Sequence, residues 1–279
     1  MSMPTFSRIT GLLLFSLAVS LPGTRTGNLD NGDAVAAEKA PLPNFATPHA
    51  ALQAGLDSVR AGDARSAIDA LKYAAMKGEI LAQWKLAKIY ASGEGVPRDD
   101  LKAYEYFMQI ITSYDEDNPD RRDDAIVASA FVALGAYELN GIANSKVQPD
   151  PQRALRMFQF AATTFGDANA QYNLARMHLE GAGIHKDSRE ALRWLFLAAD
   201  KGHPQAEALL GQTLFSGREG VPPQHARGLM WLTLARDAAI DSKKDQWIID
   251  LYDQALAAAN AVDRQEALAY LEDHLKRHN

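Results

Sequence analysis

The sequence predicts an all-α protein, a curved solenoid of stacked helix pairs closed by a helical cap at its C-terminal end. Three observations predict it. A glycine-bearing turn recurs as "SGEGVPRDD" (92–100), "EGAGIHKD" (180–187) and "SGREGVPPQ" (216–224). The segments before these turns share Leu, then Ala or Gly, then a glycine six residues later: "KLAKIYASGEG" (85–95), "ALGAYELNGIA" (133–143), "NLARMHLEGAG" (173–183) and "LLGQTLFSGRE" (209–219). Downstream lies a second matching series, "KAYEYF" (102–107), "RALRMFQFAA" (153–162), "EALRWLFLAA" (190–199) and "RGLMWLTLAR" (227–236).

At the N-terminus, Arg8 precedes the uncharged run "GLLLFSLAVSL", too short to span a bilayer and suited to a secretory signal peptide. Cleavage is expected after Ala36 or Ala37, giving a signal peptide over 1–36, a periplasmic location and no direct membrane span in the mature chain. No cysteine is present, so the exported part must hold itself together by packing. The three prolines of "EKAPLPNFATPH" read as an extended linker over 37–49, with ordered structure from about Ala50.

The solenoid is expected over 50–237. "SAIDALKYAAMKG" (66–78) marks a divergent first unit, and four clearer units follow, anchored at Gly93, Gly141, Gly181 and Gly217. In both segments apolar residues recur every three or four positions, as in Leu192, Leu195, Phe196 and Ala199, which places them on one helix face. Small residues let the paired backbones approach: Ala87, Gly135, Ala175 and Gly211 in the first helices, Ala67, Ala103, Ala154, Ala191 and Gly228 in the second.

Gly93, Gly95, Gly141, Gly181, Gly183 and Gly217 read as structural turn positions supplying left-handed helix ends. Asp99, Asp150 and Asp187 read as caps of the second helices, Asp187 forming a capping box with Glu190; the equivalent Gln224 is a poorer cap. Such a pair cannot bury its apolar face alone, whereas stacked pairs form a continuous core. Over 238–279, "KKDQWIIDLYDQALAAAN" and "VDRQEALAYLEDHLKRHN" read as two capping helices, the second opened by an Asp263–Glu266 capping box.

On these residues the chain resembles the Sel1-like repeat family, relatives of the tetratricopeptide repeat, with "AQYNLARMHLEGAGIHKDSREALRWLFLAADKG" (170–202) as the clearest copy. With its leader and cysteine-free repeats, the whole chain resembles the ExoR-type periplasmic negative regulators of exopolysaccharide synthesis. That resemblance implies a partner, the periplasmic domain of a sensor histidine kinase of the ExoS/ChvG type held inactive, and control of exopolysaccharide, motility and acid response. It also makes a periplasmic protease a candidate partner. A periplasmic scaffold or envelope-assembly adaptor without a signalling role is the alternative reading of the same repeats.

If the first helices line the concave side, as the likeness to tetratricopeptide repeats implies, exposed partner-binding candidates are Trp84, Lys88, Asn169, Tyr172, Arg176, Gln205 and Gln212. The charged insertion "SYDEDNPDRRDDA" (113–125) reads either as a solvated loop whose Asp123 or Asp124 caps the next helix, or as a docking or protease-accessible loop. The seven histidines all lie beyond residue 36; protonating them would carry the mature net charge from −6 to +1, and acid-triggered partner release follows as a hypothesis. His178, in register with Tyr90, reads as a packing residue.

Catalysis is not expected. There is no metal-binding His-Glu-x-x-His helix, nucleophile elbow or Walker loop, and the Gly-x-Gly pairs lack the third glycine of a dinucleotide site. No cofactor is implied. A net charge of −6 without a basic stripe disfavours nucleic acid as a partner.

Overall fold

Each repeated turn is closed by the same backbone hydrogen bond. The N–H of the residue capping the second helix donates to the carbonyl three residues before the anchoring glycine: Asp99 to Tyr90 (2.9 Å), Asp150 to Glu138 (2.6 Å), Asp187 to His178 (3.0 Å) and Gln224 to Leu214 (2.7 Å). The bond satisfies a carbonyl that the helix end leaves without an intrahelical partner, and it sets the angle at which the second helix turns back.

A computed structural model describes residues 45–117, 121–241 and 243–278. Its helices in chain order are α1 (Pro48–Arg60), α2 (Ala64–Met76), α3 (Ile80–Ser92), α4 (Asp100–Thr112), α5 (Asp124–Asn140), α6 (Pro151–Thr164), α7 (Ala168–Glu180), α8 (Ser188–Ala199), α9 (Pro204–Ser216), α10 (His225–Ala238), α11 (Gln246–Ala258) and α12 (Ala261–His278). From α1 to α10 each helix packs on the next in sequence, the arrangement of an α-solenoid. Among the described residues the one β-feature is an isolated bridge between Arg218 and Val221. α11 packs on α9 and α10, and α12 returns to α10.

The expected signal peptide, 1–36, and the linker up to residue 44 lie outside the described residues. The expected linker runs too far at its C-terminal end: α1 begins at Pro48, where the fixed φ of proline suits a first helical position, and the Thr47 hydroxyl accepts from the Ala50 N–H at 3.0 Å. Phe45 packs its ring on Tyr73 and accepts from the tyrosine hydroxyl through its carbonyl.

Asp99, Asp150 and Asp187 cap α4, α6 and α8 through their carboxylates, and Gln224 makes no side-chain cap, as expected. Three local readings need correction. Glu190 does not return to Asp187 but turns to Arg193 at 2.9 Å, so that box is one-sided. The box at α12 is one turn earlier than expected: Asn260 accepts from the Val262 and Asp263 N–H groups, and Asp263 accepts from the Asn260 N–H. Gly93 and Gly181 are left-handed helix ends, but Gly141 and Gly217 combine positive φ with extended ψ (175° and 164°), and a Cβ there would meet the rings of Pro149 and Pro223 at 2.8 and 2.9 Å.

Alanines fill the helix contacts. Ala87, Ala175, Ala67, Ala103, Ala154 and Ala191 are fully buried. Between them the larger side chains form successive clusters: one around Leu71, Leu86 and Phe107 from α1 to α5, one around Phe158, Leu174 and Met177, and one around Leu195, Leu210 and Trp231 that reaches α12.

Candidate partner-binding face

The first helices carry a repeated aromatic–cation pair. Trp84 and Lys88 on α3 stand nine and five residues ahead of Gly93, and Tyr172 and Arg176 on α7 stand nine and five ahead of Gly181. Residues four apart on a helix share a face. Accordingly Lys88 Nζ lies 5.9 Å from the Trp84 ring centre, and the Arg176 guanidinium 5.9 Å from that of Tyr172. Lys85 adds a second ammonium 5.3 Å from Trp84. The same positions hold Val132 and Ala136 on α5, and Ala208 and Gln212 on α9, so the feature alternates along the array.

Both rings are anchored by the neighbouring unit. Trp84 Nε1 donates to Ser129 Oγ of α5 at 3.2 Å. Tyr172 stacks on His203, the residue capping α9, with ring centres 4.9 Å apart. His203 Nδ1 accepts from the Ala206 N–H, and its Nε2 donates to Asn169 Oδ1 at 3.3 Å, so both nitrogens are used by the neutral ring. Burial holds this imidazole below its usual pKa, consistent with that tautomer.

The expectation that all seven candidates stand exposed is corrected. Lys88 and Asn169 are exposed, whereas Trp84, Tyr172, Arg176, Gln205 and Gln212 are half-buried, the two rings being held against Ser129 and His203 of the neighbouring unit. The structure brings Asn169, Tyr172 and Arg176 together around His203, leaving Trp84 and Lys88 as a separate pair. Ser129 and Lys85 were not singled out from sequence, and His203 was counted only among the seven histidines; only the common register of Trp84 and Tyr172 could have pointed to the neighbours beneath them.

A second polar centre joins α4, α5 and α6. Glu138 is 2% exposed, in register with Tyr90 and His178. It accepts from the Tyr104 hydroxyl at 2.7 Å and pairs with Arg153 Nε at 3.2 Å. An open cleft lined by Tyr104, Lys146, Gln148 and Arg153 lies beside it. Desolvation first, then the Glu138 carboxylate, pushes the Tyr104 hydroxyl up to about 12, so it remains a donor.

In the 113–125 insertion, Tyr114 packs edge-on against Phe160 and Phe165 and Arg121 pairs with Asp124, while Asp123 occupies the cap position of α5 without a side-chain bond. The histidines do not act as a uniform surface set. His178 is buried, the packing role expected of it, and His203 and His274 are held below the usual imidazole range, burial being the largest cause in each. No group of residues suited to holding a metal ion occurs among the described residues, and no helix among them is long and apolar enough to cross a membrane.

The Sel1 repeat family matches the chain at residues 80–108, 128–163, 168–203 and 204–239, the four helix pairs from α3 to α10. A Rhizobium leguminosarum bv. viciae protein named "Exopolysaccharide production negative regulator" is 36% identical over 77% of this chain and 78% of its own length. A protein of the same name from Rhizobium meliloti (strain 1021) is 35% identical over 79% and 80%. Among solved structures, a Sel1 repeat protein from Oxalobacter formigenes superposes with a TM-score of 0.58 at 22% identity, covering 70% of this chain and 75% of that one, a likeness of fold.

Proposed function

Because the chain belongs to the Sel1 repeat family, alongside the two Rhizobium proteins named exopolysaccharide production negative regulators, we propose that it is a negative regulator of exopolysaccharide production that works by binding another protein. The observation that carries this reading is the likeness to both regulators across most of either chain, which spans the array and not one borrowed repeat. The partner in this reading is the periplasmic sensory domain of a sensor histidine kinase of the ExoS/ChvG type, which the bound regulator holds inactive; the regulator itself is exported and does no chemistry.

The aromatic–cation pairs on α3 and α7 support a binding role. A ring fixed by the neighbouring unit loses little freedom on docking, and the ammonium and guanidinium groups beside it suit an acidic segment. Titrating the chain into the sensory domain by calorimetry tests the reading. Binding that weakens at least about tenfold in a Lys88→Glu, Arg176→Glu variant with unchanged Tm supports this face, each lost charge contact at an interface being worth about 1 kcal/mol or more. Absence of binding removes the kinase, and normal exopolysaccharide output in a deletion strain removes the regulator.

A further inference from the structure

The turn between α5 and α6 departs from its counterparts in length and in charge. Gly141 and Asp150 stand nine residues apart, where Gly93 and Asp99, and Gly181 and Asp187, stand six apart. The added residues form an ordered lobe. The Ile142 N–H donates to the Val147 carbonyl at 2.8 Å, the Ser145 hydroxyl donates to the Ile142 carbonyl and accepts from the Val147 N–H, and Gln148 Nε2 donates to the Ser145 carbonyl. Asn144 within the lobe, at φ 57°, is the one non-glycine residue with positive φ among the described residues, a backbone state that persists only where its surroundings hold it.

Beside the lobe a cation is turned unlike its counterparts. Lys102, Arg153 and Arg227 each stand three residues after the cap of their helix, Asp99, Asp150 and Gln224. Lys102 and Arg227 reach back to those caps, at 3.3 and 3.1 Å. Arg153 instead gives its Nε to the buried Glu138 at 3.2 Å, and the Asp150 carboxylate is occupied by the Arg153 backbone N–H. The two terminal nitrogens of Arg153 bond to no group among the described residues, and its side chain lines an open cleft of about 670 Å³ with Lys146, Gln148 and Gln152, within the size range of small-ligand sites. Glu138 balances Arg153, Asp150 answers the amides of the first turn of α6, and no carboxylate among the described residues pairs with Lys146. That balance suits one negative charge; a phosphate dianion would meet Glu138 and Asp150 with too few cations.

We propose that this cleft binds a small hydroxylated carboxylate of the uronic-acid class, its carboxylate held by the Arg153 fork and the Lys146 ammonium and its hydroxyls by the Gln148 and Gln152 amides. The planar guanidinium offers two parallel N–H groups to a carboxylate, and an amide both donates to and accepts from a hydroxyl. Glu138 fixes the guanidinium before a ligand arrives, which lowers the ordering cost of binding. None of these residues belongs to the aromatic–cation pairs of α3 and α7, so the inference is independent of the protein partner proposed above.

Titrating D-glucuronate into the isotopically labelled full chain, and following its amide NMR signals, tests the site, with glucose and acetate as controls. The expected result is a saturable shift at millimolar concentrations, largest between residues 142 and 156, with no response to glucose and a weaker one to acetate. Lys146→Glu, on an exposed residue and so harmless to the fold, should weaken binding about tenfold or more, the scale of one charge-assisted contact. Arg153→Lys keeps a cation for Glu138 but removes the fork, and should weaken binding several-fold while Tm, read on the same sample, shows the chain folded. An oligomer of glucuronate that binds more tightly than the monomer assigns the ligand to a polysaccharide chain, and otherwise to a free acid. No saturable shift with glucuronate, an equal response to glucose or acetate, or an affinity unaltered in Lys146→Glu overturns the proposal.

Discussion

Glu207 stands on α9 where Gln171 stands on α7, each ten residues ahead of the glycine that ends its helix. The glutamine and its α3 counterpart Gln83 donate to carbonyls of the preceding helix, Ala162 and Ala75. Glu207 is 6% exposed with one carboxyl oxygen unpartnered, and burial pushes its pKa up to about 7.

A carboxyl whose pKa is raised on folding binds a proton more tightly in the native state. Its contribution is fully present below the unfolded value near 4.5, declines as pH rises, and is gone above about 7. Glu207→Gln therefore flattens the fall in stability across this window and stabilises the protein at pH 8 by on the order of 3 kcal/mol, about 1.4 kcal/mol per pKa unit. Urea unfolding at about pH 5 and about pH 8 measures it; equal gains at both values would contradict the assignment.

Gln224 has the backbone of a capping residue without the capping oxygen. Its φ and ψ, −136° and 74°, are close to those of Asp150, −134° and 87°, which does cap. Gln224→Asp is expected to gain about 1 kcal/mol and Asp187→Ala to lose about as much, both read from thermal unfolding.

Two glycines at helix crossings differ in what a methyl group would strike. At Gly135 it would meet the Phe158 ring at 2.6 Å, whereas at Gly228 it would meet the Phe215 backbone nitrogen at 2.5 Å and the Gly211 carbonyl at 2.7 Å. A ring can shift more easily than two helices can part. Gly135→Ala should cost about 1–3 kcal/mol, and Gly228→Ala more, with the larger drop in Tm.

Arg153→Ala leaves the Glu138 carboxylate buried with only the Tyr104 hydroxyl, and the expected loss is about 3 kcal/mol. Replacing both members by methionine should restore most of it, since the desolvation cost is then removed as well. A double-mutant cycle in urea decides between this and a pair that adds net stability.

How much of this was legible followed from distance along the chain. Asp187, which caps α8, and Gly181, six residues before Asp187, act locally, and their roles could be read directly. The box at α12 was misplaced because Asn260 and Asp263 are both good caps, and only the chain path chooses between them. Trp84 was visible as a surface aromatic, but Ser129, which fixes it, is 45 positions away, and Tyr104 is 34 from Glu138. Glu207 could have been noticed from sequence as a carboxylate in the register of two glutamines, although its burial depends on α9 being enclosed by α10 and α11.

The repeated bond from the capping residue back to the preceding helix ties each of the four pairs from α3 to α10 into one tile, while adjoining tiles touch only their neighbours. Compliance is thereby concentrated at the joints. Small rotations there would add along the stack, and drawing the ends of the array apart is expected to strain the joints before it breaks a turn. A ligand spanning several joints would freeze those rotations together, and its grip would register as increased mechanical stiffness even if no helix changed shape.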